Sequence, residues 1–245
     1  MTTISILGCG WLGAPLARHF KTLGYTVQGS VTSSDKANEL TAKGIQPFEF
    51  YVRSQAHYPA DFFNADILII TLPFKRSFDP PTIYFDQCQS LINSIENSRI
   101  QWVLVTSSTM IYPNNDQQAH ETDVISPETP RQEVLYDVEQ LFITHPGFKT
   151  TIIRLGGLYG PNREPGRFFQ GKSNIPGGLN QVNMIHLADC IGLIDHIITT
   201  SCSDSIINGV SQTHPTKSDF YGAMFAPTRT PHKVVMSRTT YSFKH

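Results

Sequence analysis

Charge is scarce in this chain of 245 residues, and neither sign prevails. Lys and Arg number 19 and Asp and Glu 20, so the formal net charge is −1. No basic stripe is present, which argues against nucleic acid as a partner. No apolar run approaches the roughly 18–20 residues that a membrane span requires. The first residues lack a basic segment followed by a long apolar one, so no secretory signal is read there. The cysteines Cys9, Cys88, Cys190 and Cys202 are scattered without C-x-x-C spacing. They fit a cytoplasmic protein with reduced thiols. Nine histidines show neither H-x-x-x-H nor H-E-x-x-H spacing, so no metal site is expected. Internal repeats and low-complexity segments are also missing.

The first thirteen residues are the most informative. Thr2 to Leu7 is a β-branched apolar run that enters Gly8-Cys9-Gly10-Trp11-Leu12-Gly13 and then Ala14-Pro15-Leu16-Ala17. That order is strand, G-x-G-x-x-G, helix. Gly8 allows the tight turn, Gly10 lets the backbone approach a diphosphate, and Gly13 lets helix and strand pack closely. The anion would sit on the helix N-terminus, with Trp11 and Leu12 completing the loop. Cys9 lies inside this loop, where oxidation would reach cofactor binding; its plainer role is a small loop residue.

Further along, Tyr25–Ser30, Ile45–Phe50, Asp66–Leu72, Gln101–Thr106, Thr151–Leu155 and Ser205–Val210 read as strands. Helical periodicity runs through Asp35–Ala42, a segment within 80–97, Glu133–Ile143 and His186–Thr200. Strands alternating with helices predict an α/β fold, a Rossmann-type doubly wound parallel sheet. Residues 1–160 would form the cofactor-binding core. Residues 161–245 would supply substrate-side loops and a small, short lobe, with 184–212 packing back on the sheet. Ligands of such sheets bind at the carboxyl ends of the strands. Leu72, Pro73, Thr106, Ser107, Ser108, Gly156 and Gly157 should therefore line the site.

Four segments together resemble the short-chain dehydrogenase/reductase superfamily, most closely atypical members of its epimerase/dehydratase branch. They are the glycine loop, Thr106-Ser107-Ser108-Thr109-Met110-Ile111-Tyr112, Arg154-Leu155-Gly156-Gly157-Leu158-Tyr159-Gly160-Pro161, and Asn183-Met184-Ile185-His186-Leu187-Ala188-Asp189. The resemblance implies a nicotinamide cofactor, a small-molecule substrate and a homodimer. It also implies a Ser, Tyr and Lys acting together, the last two spaced Y-x-x-x-K on a helix. Ser108 matches the Ser. Aligning Ser126-Pro127 and Val138-Glu139-Gln140 puts Arg131 at the Tyr position and Leu135 at the Lys position. A phenol with a reference pKa of about 10 is a poor base without a neighbouring cation. Tyr136 is a local look-alike out of register, with Gln140 where its Lys would stand. The candidate catalytic set is Ser108, Tyr136 and Arg131. Ser108 would polarise a carbonyl, Tyr136 or a water would carry the proton, and Arg131 would hold an anionic group.

An acidic residue after the second strand would bind the adenosine ribose hydroxyls and select NAD. This chain has Gln28-Gly29-Ser30-Val31-Thr32-Ser33-Ser34-Asp35-Lys36 there. Ser30, Thr32 and Ser33 can hydrogen-bond a 2′-phosphate and Lys36 can reach it, so NADP is favoured with NAD the alternative. Arg163, Arg167 and Lys172 give the loop after the sixth strand a cationic character, which suggests a phosphorylated or carboxylated ligand. Two functions follow: an oxidoreductase, epimerase or dehydratase acting on a small polar or sugar-like substrate, or an inactive module that senses NADP(H).

Overall fold

The computed structural model describes residues 1–54, 56–75, 80–114, 118–166 and 177–223. Seven strands form one sheet: β1 (Thr3–Leu7), β2 (Thr26–Val31), β3 (Gln46–Glu49), β4 (Ile67–Ile70), β5 (Trp102–Ser108), β6 (Lys149–Leu155) and β9 (Ser205–Gly209). Their order is β3-β2-β1-β4-β5-β6-β9, and every pairing is parallel. A second, two-stranded sheet pairs β7 (Gly157–Tyr159) with β8 (Met184–His186). The helices are α1 (Gly13–Thr22), α2 (Ser34–Thr41), α3 (Ile83–Glu96), α4 (Pro130–Ile143), α5 (Leu187–Thr199) and α6 (Lys217–Ala223).

Side chains alternate across a strand, so a continuous apolar run can be buried only where both faces are covered. β4 shows this directly. Ile67 and Ile69 join one core with Leu16, Ala17 and Phe20 of α1, Leu40 of α2, and Ile194 and Ile197 of α5. Leu68 and Ile70 join the other with Cys88 and Leu91 of α3, and Leu135, Val138 and Phe142 of α4. The fold is thus the doubly wound α/β sandwich expected from the sequence, with α1, α2 and α5 on one face and α3 and α4 on the other.

Two local features depart from the sequence reading. α4 begins at Pro130 rather than Glu133, because Thr129 Oγ1 accepts from Gln132 N at 3.3 Å and Pro130 sits at the first turn, where no N–H is needed. The stretch after Gly156, expected to be loop, opens with β7. Its partner β8 ends at His186, whose Nδ1 caps α5 by accepting from Ala188 N at 3.2 Å.

The strand order reverses direction between β1 and β4, which is where open parallel sheets bind ligands. Thr71 stitches this point together. Its hydroxyl lies 3.1 Å from Leu7 O and 2.8 Å from Gly8 O, both acceptors at the end of β1.

Candidate active site

The glycine loop leaves β1 with Gly8 at φ +97°, a backbone conformation that favours glycine. Gly8 N donates to Ser30 Oγ at 2.8 Å and Cys9 N to Ser30 O at 2.8 Å, fastening the loop to β2. Ser30 therefore holds the loop itself. The Cys9 thiol is buried, lies 3.7 Å from Ile6 O, and is pushed up to about 12 by that burial, so it is a poor nucleophile at neutral pH. The two remaining glycines differ in kind. A Cβ on Gly13 would stand 2.3 Å from Gly8 O and 2.8 Å from Thr71 Oγ1, so helix packing demands glycine there. A Cβ on Gly10 would meet only Gly8 O, at 4.0 Å. Among the described residues that space is open.

Beside this opening lie three donors. The N–H groups of Trp11, Leu12 and Gly13 donate to nothing among the described residues, and the first turn of α1 holds no acidic residue. Free N–H groups at a helix N-terminus, with the helix dipole behind them, suit an anion. The loop's residues thus fit the diphosphate of a dinucleotide.

A cleft runs from the loop toward α2. It is lined by Gly8, Cys9, Ser30, Val31, Thr32, Lys36, Phe50, Val52 and Leu72. One wall is apolar and one cation faces it, with no carboxylate in the lining. Ser33 is the N-cap residue of α2 and its side chain makes no capping bond. Thr32 is fixed through its carbonyl, which accepts from Tyr51 Oη at 2.9 Å. Phe50 and Val52, which the sequence reading did not single out as site residues, belong to this cleft; their only signal was their apolar character at and just after the end of a weak strand.

At the other end stand the carboxyl ends of β4, β5 and β6. Leu72 and Pro73 follow β4, and Thr106 Oγ1 donates to Ile70 O at 3.1 Å. Ser108 Oγ accepts from Met110 N at 3.2 Å, capping a short 3-10 turn, and donates to nothing among the described residues. Gly156 follows β6; a Cβ there would lie 2.7 Å from Asn183 O, so the glycine lets β6 run close to β8. Arg131 lies in the first turn of α4, and its guanidinium is 5.4 Å from the centroid of Phe74, just past Pro73. Leu135, at the expected Lys position, is 2% exposed within the core. Tyr136 is half-buried and packs against the same core. At about 100° per residue it lies roughly 140° round the helix from Arg131.

Beneath this floor is a buried charged network that the sequence reading missed. Glu139 of α4 is wholly buried and Arg154 of β6 nearly so. Arg154 Nη2 donates to Glu139 Oε2 at 2.7 Å and Nε to both carboxylate oxygens at 3.1 Å. Arg154 Nη1 donates to Tyr112 Oη at 2.8 Å, and Tyr112 Oη donates to Asn208 Oδ1 at 2.9 Å. Ser107 Oγ donates to Glu139 Oε1 at 2.6 Å. Burial works against the Arg154 charge, but the hydrogen bonds and charge of Glu139, with Tyr112, raise its pKa overall. Arg163 lies near the glycine loop; Arg167 and Lys172 fall outside the described residues.

Comparison with known proteins agrees with this geometry. Residues 3–124 match the profile of the NAD-binding domain of 6-phosphogluconate dehydrogenase. Protein YeeZ of Escherichia coli (strain K12) is 35% identical over 228 residues, covering 91% of this chain and 83% of that protein. The chain belongs to the YeeZ family. Its first half carries an NAD-binding Rossmann domain. Solved structures share the fold. UDP-glucuronic acid 4-epimerase from Bacillus cereus, in complex with UDP-glucuronic acid and NAD, superposes with a TM-score of 0.75 at 15% identity, over 91% of this chain and 82% of that one. A candidate NAD-dependent epimerase/dehydratase from Methylobacillus flagellatus gives 0.71 at 20% identity, over 94% and 86%. Among the described residues, no helix is long and apolar enough to cross a membrane and no metal-ligating cluster occurs.

Proposed function

We propose that this chain is an NADP(H)-dependent oxidoreductase, epimerase or dehydratase of the short-chain dehydrogenase/reductase type. Its substrate in this reading is a small polar or sugar-like molecule with an anionic group. The observation that carries the reading is the space at Gly10, open among the described residues, beside three N–H groups that find no acceptor among them. Lys36 in a cleft without carboxylates supports NADP over NAD, with Thr32 and Ser33 as further donors to a 2′-phosphate. A bound nicotinamide would supply hydride transfer at its C4; the chain's part is to bind, orient and exclude water.

Ser108 donates its hydroxyl hydrogen to the reacting oxygen of the substrate. Arg131, beside Phe74, holds the substrate's anionic group. A water carries the proton, because Tyr136 lies on a flank of α4 away from the Arg131 face. Residues 1–160 serve the cofactor and 161–245 the substrate side, in a cytoplasmic homodimer.

A second reading is supported by Leu135. An apolar residue buried at the family's Lys position removes the cation that makes the tyrosine acidic, as expected of an inactive NADP(H) sensor.

The test begins with a fluorescence titration by NADPH and NADH, read from Trp11 and Trp102. Saturable quenching, tighter for NADPH and with that preference lost in Lys36→Ala, is the expected result. Absence of binding, checked by calorimetry, would overturn the reading. Turnover of carbonyl or sugar-nucleotide substrates, abolished in Ser108→Ala and kept in Tyr136→Phe, separates enzyme from sensor; binding without any turnover favours the sensor.

A further inference from the structure

We propose that Arg163 is a dedicated counter-ion for a phosphate or diphosphate seated on the glycine loop, and that Trp11 holds it in place. The proposal rests on the reading of that loop as an anion site. Arg163 lies 5.1 Å from the centroid of the Trp11 ring, close enough for a cation–π contact. Trp11 Nε1 donates to Pro161 O at 2.8 Å, joining residues 150 apart in the chain. One indole thus binds the loop's turn by its edge and the turn's guanidinium by its face.

The turn is built to present that side chain. Arg163 N donates to Gly160 O at 2.9 Å, closing a tight reversal through Pro161 and Asn162, and Asn162 takes φ +63°. Gly160 takes φ +146°, and a Cβ there would lie 3.1 Å from His186 Nε2 and Leu187 Cβ. The turn is therefore pressed against the start of α5 on one side and hung from Trp11 on the other. Among the described residues the Arg163 guanidinium makes no ion pair and no hydrogen bond. Arg99, by contrast, pairs with Asp66, and Arg154 with Glu139. The five N–H donors of Arg163 lie against the side chain of Trp11, a residue of the loop whose own N–H groups at Trp11, Leu12 and Gly13 find no acceptor among the described residues. An anion between them would satisfy both sets, and a guanidinium meets phosphate oxygens in a bidentate fork. In the cofactor reading that anion is the dinucleotide's diphosphate.

The experiment is calorimetry on the full chain, wild type, Arg163→Ala and Arg163→Lys, over a range of salt concentrations. The titrants are NADPH, and inorganic pyrophosphate added to protein saturated with NADPH. Arg163 is half-exposed, so both variants are expected to melt as wild type does. A roughly tenfold loss of NADPH affinity in Arg163→Ala, with a shallower salt dependence and a smaller loss in Arg163→Lys, assigns Arg163 to the dinucleotide. Unchanged NADPH affinity with weakened pyrophosphate binding would move Arg163 off the glycine loop and overturn the proposal. Unchanged binding of both overturns the proposal. If wild-type protein binds no NADPH, the cofactor reading fails, and pyrophosphate titrated into the free chain decides Arg163 alone: equal binding by wild type and Arg163→Ala, or none by either, overturns its role as an anion counter-ion.

Discussion

Ser107 donates a 2.6 Å hydrogen bond to Glu139, and Glu139 is the wholly buried partner of Arg154. The floor of the site at β5 is thereby fixed to α4 and β6 by one carboxylate. Taking two charges out of water is costly, and the pair persists because each guanidinium nitrogen and each carboxylate oxygen finds a partner. Glu139→Gln would keep the shape and leave Arg154 as a buried charge without its counter-ion. The expected loss is about 3–5 kcal/mol of unfolding free energy, measured by denaturant titration. A double change of Glu139 to Leu with Arg154 to Met should cost clearly less than Glu139→Gln alone. Equal losses would mean that the pair is not closed as described.

The sandwich was legible because it rests on periodicity. Ile67 to Ile70 is apolar without a break, and only a strand covered on both faces can bury all four. The G-x-G-x-x-G loop was legible because strand and helix flank it. Glu139 was not, since nothing local to α4 marks a carboxylate as buried; its partner Arg154 comes from a neighbouring strand. The contact of Trp11 with Pro161 spans 150 residues and has no sequence pattern at all. The sheet of β7 and β8 escaped because strands of three residues carry no period, and because its glycines read as loop.

The glycines of the loop separate folding from binding. Gly13→Ala would drive a Cβ to 2.3 Å from the Gly8 carbonyl, against backbone that has no room to yield. Its expected cost is about 1–3 kcal/mol, seen as a lower melting temperature. Gly10→Ala meets nothing closer than 4.0 Å among the described residues and should melt as wild type does. Yet its methyl would occupy the space left for a diphosphate, so dinucleotide affinity should fall at least tenfold. Wild-type affinity in Gly10→Ala would show that no ligand approaches there.

The thiols give a test that needs no ligand. Burial raises Cys9, Cys88 and Cys190 each to about 12, from a reference of 9.0. At pH 8 the thiolate fraction of each is then about 10⁻⁴, and the thiolate is the reactive form. Cys202 is half-buried. A coloured disulfide reagent should therefore label one thiol per native chain quickly, Cys202, and all four after denaturation. The sign of the stability effect follows. In the unfolded chain these three thiols ionise near 9, in the native chain near 12, so between those values the unfolded state binds fewer protons. The thiols' share of stability is whole below about pH 9 and falls as pH rises toward 12, contributing up to three protons to the slope, to which the raised phenols of Tyr84 and Tyr159 add in the same direction. Replacing Cys88 by Ala or Val should remove about one proton from that slope, as read from denaturation midpoints at pH 8 to 11. Equally fast labelling of all four thiols in native protein would contradict the burial of the glycine loop's cysteine.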